Sequence, residues 1–167
     1  EDENTLAGFS SRGPDPSFLK PDIVAPGKEI LGGHTADVAN GFRGEDFQYL
    51  SCTSPSAPHI AGIAALIKQA HPDWTPAEIK SALMTTARQN ITVDGGKATT
   101  PFDIGAGHVV PNTAINPGLL YNVSTDDFDE FLCRANAPRI NRCQSLLNRN
   151  KILRPEDLNL PSIQIND

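Results

Sequence analysis

The sequence predicts a globular chain that mixes short β-strands with α-helices. Three observations carry that reading. The 167 residues are 38 % apolar and 20 % charged, a balance that buries a core rather than leaving the chain disordered. That length suits one domain, or one domain plus the start of another. The residues before Ser51 hold short apolar segments broken by Pro and Gly, the punctuation of strands and turns. From Ser54 to Ala70 the character changes to SPSAPHIAGIAALIKQA, in which apolar side chains cover most of a helix circumference. A helix apolar nearly all round is expected to be buried.

Taken in order, Leu6-Ala7-Gly8-Phe9 predicts a strand that Ser10-Ser11-Arg12-Gly13-Pro14 ends. Lys20-Pro21-Asp22-Ile23-Val24-Ala25-Pro26-Gly27 predicts a second, bracketed by prolines, which supply no ladder donor and sit at strand ends. Glu29-Ile30-Leu31 predicts a third, and residues 32–46, Gly-rich and polar, read as a surface loop. Phe47-Gln48-Tyr49-Leu50-Ser51 alternates with the period of a strand. For the long helix, Ser54 is the expected N-cap and Pro55 the first helical residue, where no N–H is needed. Pro58 is placed in the first turn, where it too removes only an orphan donor.

His71-Pro72-Asp73-Trp74 is a connector, with Trp74 as its packing anchor. Thr75-Pro76-Ala77-Glu78 is a capping box that opens a helix reaching Ala87, with Ile79, Ala82 and Leu83 on one face. Residues 88–118 read as loops, with turns at Asp94-Gly95-Gly96 and Gly105-Ala106-Gly107. Ser124-Thr125-Asp126-Asp127 caps a third, shorter helix through Phe128, Phe131 and Leu132. Residues 134–157 are polar and ambiguous, and Leu160-Pro161-Ser162-Ile163-Gln164-Ile165 predicts the first strand of a further unit. There is no internal repeat.

The net charge of −6, with no local Lys/Arg cluster, argues against a nucleic-acid partner. No apolar run approaches the ~18 residues that a membrane span needs. The chain opens on Glu1 and its only methionine is Met84, so it is expected to be a processed piece or an incomplete record. Cys52, Cys133 and Cys143 make an odd set. Cys133 and Cys143 lie near enough in sequence to close a short loop, and their spacing is not a zinc pattern. Asn90-Ile91-Thr92 and Asn122-Val123-Ser124 are N-glycosylation sequons. Together with a cystine they point to the secretory pathway.

The junction at Ser54 carries the chemistry. A strand runs straight into an apolar helix with a Ser at its start. The free N–H groups and dipole there favour negative charge, which suits a tetrahedral oxyanion formed when the Ser oxygen attacks a carbonyl. The plainer reading is that Ser is simply a common N-cap.

The surrounding residues decide between these. Thr53-Ser54-Pro55-Ser56-Ala57-Pro58-His59-Ile60-Ala61-Gly62 resembles the nucleophile segment of subtilisin-like serine proteases, G-T-S-M-[AS]-x-P-H-[VI]-[AS]-G. The plant subtilase subfamily is similar over Phe9-Ser10-Ser11-Arg12-Gly13-Pro14, Leu19 to Gly27, His71 to Pro76, Ile79 to Ala87, Thr100 to Val109, Asn116 to Tyr121 and Phe131-Leu132-Cys133. These matches are colinear and cover nearly the whole chain. Leu158-Asn159-Leu160-Pro161-Ser162-Ile163 resembles the family's boundary with a fibronectin-type-III-like β domain.

The resemblance implies an α/β subtilisin-like fold, a parallel sheet with helices on both faces, of which only the C-terminal portion is present. Residues 1–157 would belong to the peptidase domain and 158–167 to the boundary. Ser54 would be the nucleophile of a serine endopeptidase that hydrolyses peptide bonds through an acyl-enzyme, with protein or peptide substrates. The resemblance implies no cofactor and no metal, a secreted location in the plant cell wall or apoplast, and a Cys133–Cys143 disulfide rather than two thiols.

The family's Asp, His and oxyanion Asn fall upstream of Glu1, so the isolated chain is expected to be inactive. Local substitutes are not expected. His59 matches a family position outside the triad, His71 and His108 match non-catalytic positions, and His34 sits in the upstream loop. Asp22 matches a structural Pro-Asp position, and Asn4 and Asn40 match no oxyanion Asn. Cys52 stands where the family has Gly, and Pro55 where it has Met. Cys52 is read as a strand-end thiol without a catalytic role. Because both departures lie beside Ser54, a non-catalytic, protease-derived interaction protein or decoy stays open as the alternative, as does a relic without function.

Overall fold

The computed structural model describes residues 4–14, 19–35, 43–93, 96–135, 141–152, 154 and 157–162. The elements run β1 (Ile30–Gly33), β2 (Phe47–Leu50), α1 (Thr53–Ala70), α2 (Pro76–Thr85), β3 (Thr92–Val93), β4 (Lys97–Ala98), α3 (Pro101–Ile104), α4 (Pro111–Ala114), α5 (Thr125–Arg134) and α6 (Cys143–Leu147).

The described residues form two antiparallel pairs, β1 with β2 and β3 with β4. Parallel pairing is confined there to isolated bridges, Thr5 with Thr92 and Val24 with His108. The expected parallel sheet is therefore not displayed, and local chemistry explains why two predicted strands shrink to bridges. At the first, the Leu6 amide donates to Thr92 O (2.7 Å), but the chain then turns at Gly8-Phe9 and the Ser10 amide closes on Ala7 O (3.0 Å). At the second, the Val24 amide donates to Gly107 O (2.9 Å) and Val24 O accepts from the Val109 amide (3.0 Å). Pro21 and Pro26 lack the donors that would extend the ladder on either side. The other two predicted strands form as a hairpin, with Ile30 opposite Leu50 and Gly33 opposite Phe47. The first of them runs two residues further than the sequence suggests, because Gly32 and Gly33 still pair.

Helix α1 begins two residues earlier than expected. Its N-cap is Cys52, in extended conformation (φ −167°, ψ 171°) and without a side-chain cap bond, so Ser54 is the second helical residue. Pro55 at the third position still removes only an orphan donor. Pro58 now lies past the first turn, where its missing N–H leaves the Ser54 carbonyl without the usual i→i−4 donor. Nor is α1 buried all round. Only Pro55 and Ile67 are buried, Ile60, Ile63 and Ala64 are half-buried, and Leu66 is 59 % exposed. The described neighbours cover one side only: Ile67 packs with Ile79, Leu83, Val109 and Ala114, flanked by Ile23, Ala25 and Trp74.

The connector folds as expected. The His71 and Trp74 rings stack at 3.8 Å, and His71 Nε2 donates to Ile115 O (2.7 Å), pinning the turn to α4. In α2 the capping box closes, with the Thr75 hydroxyl accepting from the Glu78 amide (3.2 Å) and a Glu78 carboxylate oxygen accepting from the Thr75 amide (2.7 Å). Ile79, Ala82 and Leu83 are buried together. The helix stops at Thr85, where the Thr85 and Thr86 hydroxyls donate back to the carbonyls of Ser81 and Ala82 (2.9 and 2.8 Å).

The stretch read as loops, 88–118, holds four short elements that the sequence reading passed over. The signal for one was present: Thr100-Pro101-Phe102-Asp103 repeats the Thr75-Pro76-Ala77-Glu78 pattern. The Asp103 carboxylate accepts from both the Thr100 amide and hydroxyl (2.7 and 2.8 Å) and pairs with Arg12 (3.0 Å). Gly105 follows at φ +58°, where an added Cβ would stand 2.5 Å from Asp22 O.

In the C-terminal part, α5 opens with the predicted box, Ser124 Oγ accepting from the Asp127 amide (3.2 Å). A disulfide joins Cys133 of α5 to Cys143 of α6, with Cα atoms 5.5 Å apart. Asp127 is buried and accepts from Arg149 and Lys151 (both 2.8 Å). Burial pushes its carboxyl up, but the bonds from Lys151, Ser124 and Arg149 outweigh that and hold it at about 2. Glu130, fully buried, accepts from Arg134 and from the Ile152 amide, each at 3.1 Å. Leu160 to Ser162 form no strand, and the remainder of that predicted strand lies outside the described residues, as do Asn40 and Asp94-Gly95.

Candidate active site

Ser54 is exposed at the second position of α1, directly after β2. In the first turn the amide N–H groups have no partner within the helix, so the hydroxyl stands beside donors that carry the positive end of the helix dipole. Among the described residues, the hydrogen-bond neighbour of Ser54 Oγ is the Cys52 thiol, at 3.6 Å. On its other side an open groove of about 460 Å³ runs between α1 and the hairpin, lined by Ile30, Leu31, Leu50, Pro55 and Pro58. Ser54 and His59 supply its polar side chains.

Cys52 is exposed and unbonded to any other cysteine. Its amide donates to Gly27 O (2.9 Å), which ties the end of β2 to the Pro26-Gly27 turn. The Ser54 amide, then the Ser54 hydroxyl and the Thr53 hydroxyl, pull the thiol below its ordinary pKa against a small opposing effect of burial. The sequence reading took Cys52 as a strand-end thiol. The structure makes it the N-cap of α1, with its sulfur 3.6 Å from the Ser54 hydroxyl. The departure from Gly at this position was visible in the sequence, but the direction of the sulfur was not.

Of the other candidates, His59 lines the same groove as Ser54 and the rest lie elsewhere. His59, one turn along α1, donates from Nδ1 to Pro55 O (2.8 Å). His34 Nδ1 donates to Glu45 O (2.8 Å), and His108 Nδ1 donates to Val109 O (2.8 Å). With His71 on Ile115 O, each histidine spends a ring nitrogen on a backbone carbonyl, and none is hydrogen-bonded to Ser54. Asp22 pairs with Lys20 and with Lys80 (2.8 Å). Burial pushes its carboxyl up, and the two lysines together hold it below the usual range. Asn4 lies beside β3, its carbonyl accepting from the Thr92 amide (2.8 Å). Asn90 and Asn122 are both exposed, before β3 and α5 respectively.

Among the described residues no group of three His, Cys, Asp or Glu side chains could hold a metal ion, and no helix is long and apolar enough to cross a membrane. The arrangement thus offers a presented hydroxyl, amide donors at the start of a helix and a largely apolar groove, and among the described residues no histidine or carboxylate is hydrogen-bonded to the hydroxyl. A hydroxyl so placed is a poor nucleophile until a base takes its proton.

Comparison with known proteins gives this geometry its context. The profile of the Subtilase family matches residues 1–107, from the N-terminal segment through α3. The chain is 45 % identical to Subtilisin-like protease SBT1.7 of Arabidopsis thaliana over 96 % of its length, which is 24 % of that relative. It is 46 % identical to Subtilisin-like protease SBT1.6 of the same plant over 77 % of this chain and 19 % of the relative. The figures for Subtilisin-like protease SBT3 of Solanum lycopersicum are 46 %, 78 % and 19 %. The chain therefore spans about a quarter or less of the length of these relatives. A match over most of these residues, running through the Ser54 helix, means that the chain belongs to the subtilase family of serine-type peptidases.

Proposed function

We propose that residues 1–157 are the C-terminal part of a subtilisin-like peptidase domain and that Ser54 is its nucleophile. The observation that carries this is the exposed Ser54 hydroxyl in the first turn of α1, where the amide N–H groups have no partner within the helix. In this reading a histidine outside these 167 residues takes the Ser54 proton. The oxygen then attacks the carbonyl of the scissile peptide, and the resulting oxyanion lies against the amides at the start of α1, with an asparagine from elsewhere completing its cradle. The histidine returns the proton to the leaving amine, and water hydrolyses the acyl-enzyme. The chain alone supplies one member of the triad and is inactive.

The same reading completes the fold. The parallel sheet and the cover for the open side of α1 come from segments beyond these residues, and 158–167 lead into a fibronectin-type-III-like β domain. The protein is a secreted glycoprotein carrying glycans on Asn90 and Asn122, and its substrates are proteins or peptides.

The test is hydrolysis of a peptide mixture by a protein in which the family's Asp and His segments precede Glu1, beside its Ser54→Ala variant. Cleavage lost in the variant supports the reading, and equal cleavage by both overturns it.

A second reading has a specific observation behind it. The Cys52 sulfur stands 3.6 Å from the Ser54 hydroxyl, at a position where the family has Gly. A protein that binds peptides without cutting them fits that contact, and failure of the complete domain to form an acyl-enzyme would favour it.

A further inference from the structure

Gly27 sits where the segment after Leu19 passes under the start of α1. Its carbonyl accepts the Cys52 amide (2.9 Å), two residues before Ser54. Two residues beyond Gly27, the Glu29 amide donates to the Ser51 hydroxyl (2.9 Å). The 27–29 turn thus grips both residues that lead from β2 into the helix.

The α-carbon of Gly27 is engaged as closely. A Cβ built there would overlap Ser56 Oγ and stand 2.6 Å from the Cys52 carbonyl oxygen. The backbone of Gly27 is not left-handed, so what the position demands is space and not conformational freedom. Ser56 can turn its hydroxyl aside. The Cys52 carbonyl cannot move alone, because it belongs to the N-cap, whose carbonyl begins the hydrogen bonding of the helix. A side chain at position 27 must therefore shift the start of α1, and Ser54 with it.

We propose that Gly27 is the positioning residue of the Ser54 turn: its carbonyl fixes Cys52 from below, and its bare α-carbon lets the Cys52 carbonyl and Ser56 seat the first turn of α1 at the depth that sets the aim of the Ser54 hydroxyl. The catalytic purpose of this placement rests on the reading of Ser54 as nucleophile, but the placement itself is measurable without activity. Cys52 is the reporter, since its thiol lies 3.6 Å from the Ser54 hydroxyl, while Cys133 and Cys143 are bonded to each other.

The experiment is the pH dependence of iodoacetamide alkylation of Cys52 in the 167-residue chain, with far-UV circular dichroism as the check on folding. The Ser54→Ala variant calibrates the reporter by raising the alkylation midpoint. Gly27→Ala is expected to raise it as well, towards that of an ordinary thiol, with the dichroism retained. A folded Gly27→Ala chain with the parent midpoint overturns the proposal. Should Gly27→Ala lose its fold, Ser56→Val presses on the same contact from the helix side. An upward shift there supports the proposal and an unchanged midpoint overturns it. The nucleophile reading is judged separately, by hydrolysis in the complete domain. A Gly27→Ala shift accompanied by no Ser54-dependent hydrolysis would overturn that reading and leave the positioning of the turn intact.

Discussion

Helices α1 and α5 are built by opposite means. The ten residues of α5 carry their own instructions: a Ser124 capping box, Asp126 and Asp127 in the first turn, Arg134 in the last, and a disulfide and ion pairs that tie it to the segment after it. The eighteen residues of α1 have a cysteine N-cap without a side-chain bond, a proline past the first turn, and two buried residues. One helix is closed by what its own sequence places around it. The other presents the Ser54 hydroxyl and leaves apolar surface, with Leu66 59 % exposed. Large exposed apolar surface on a helix marks a face made for something else.

The contrast can be broken most sharply inside α1 itself. Ile67 is fully buried and Leu66, its neighbour in sequence, is not. Ile67→Ala is expected to cost about 2–5 kcal/mol in urea unfolding, and Leu66→Ala to stay within about 0.5 kcal/mol. Equal costs would mean that α1 is covered all round in this chain.

The next effect belongs to α5. Asp127 is held at about 2, below its unfolded value. A depressed carboxyl contributes stability above the unfolded pKa of about 4 and loses it as the pH falls through the folded value, here about 2 kcal/mol between pH ~4 and ~2. Asp127→Asn should flatten that acid limb of the stability profile. An unaltered limb would mean that Lys151 and Arg149 do not hold the carboxylate.

The smallest effect compares the two N-caps. Ser124→Ala should cost ~1 kcal/mol, because the Asp127 amide loses its acceptor. Cys52→Ala should cost less than about 0.5 kcal/mol, since its side chain makes no cap bond. Thermal unfolding of the two variants side by side checks the difference, and a costlier Cys52→Ala would reverse the comparison.

This division also explains what could be read in advance. The α2 and α5 caps were legible because Thr75 with Glu78 and Ser124 with Asp127 act within one turn. The strand at Phe47–Leu50 was legible from its alternation, but its pairing with Ile30–Gly33 was not. Nor was the start of α1, because Ser54 fits an N-cap by residue type while the helix begins after Cys52, whose amide is held by the distant Gly27 carbonyl. The expected burial of α1 followed from its apolar circumference, which states what a helix could bury and not what lies beside it. The strand at 20–27 became a single bridge because Pro21 and Pro26 remove donors on both sides of Val24. At the site, the Ser54 hydroxyl was located through a family resemblance. The approach of the Cys52 sulfur to the Ser54 hydroxyl needed coordinates.

The central claim is that Ser54 is positioned but not activated in these residues. The direct measurement is incubation of the purified 167-residue chain with a fluorophosphonate probe, followed by intact mass and peptide mapping. The account predicts no rapid adduct on Ser54, since no histidine reaches its hydroxyl. Rapid and stoichiometric labelling of Ser54 in this chain alone would contradict it.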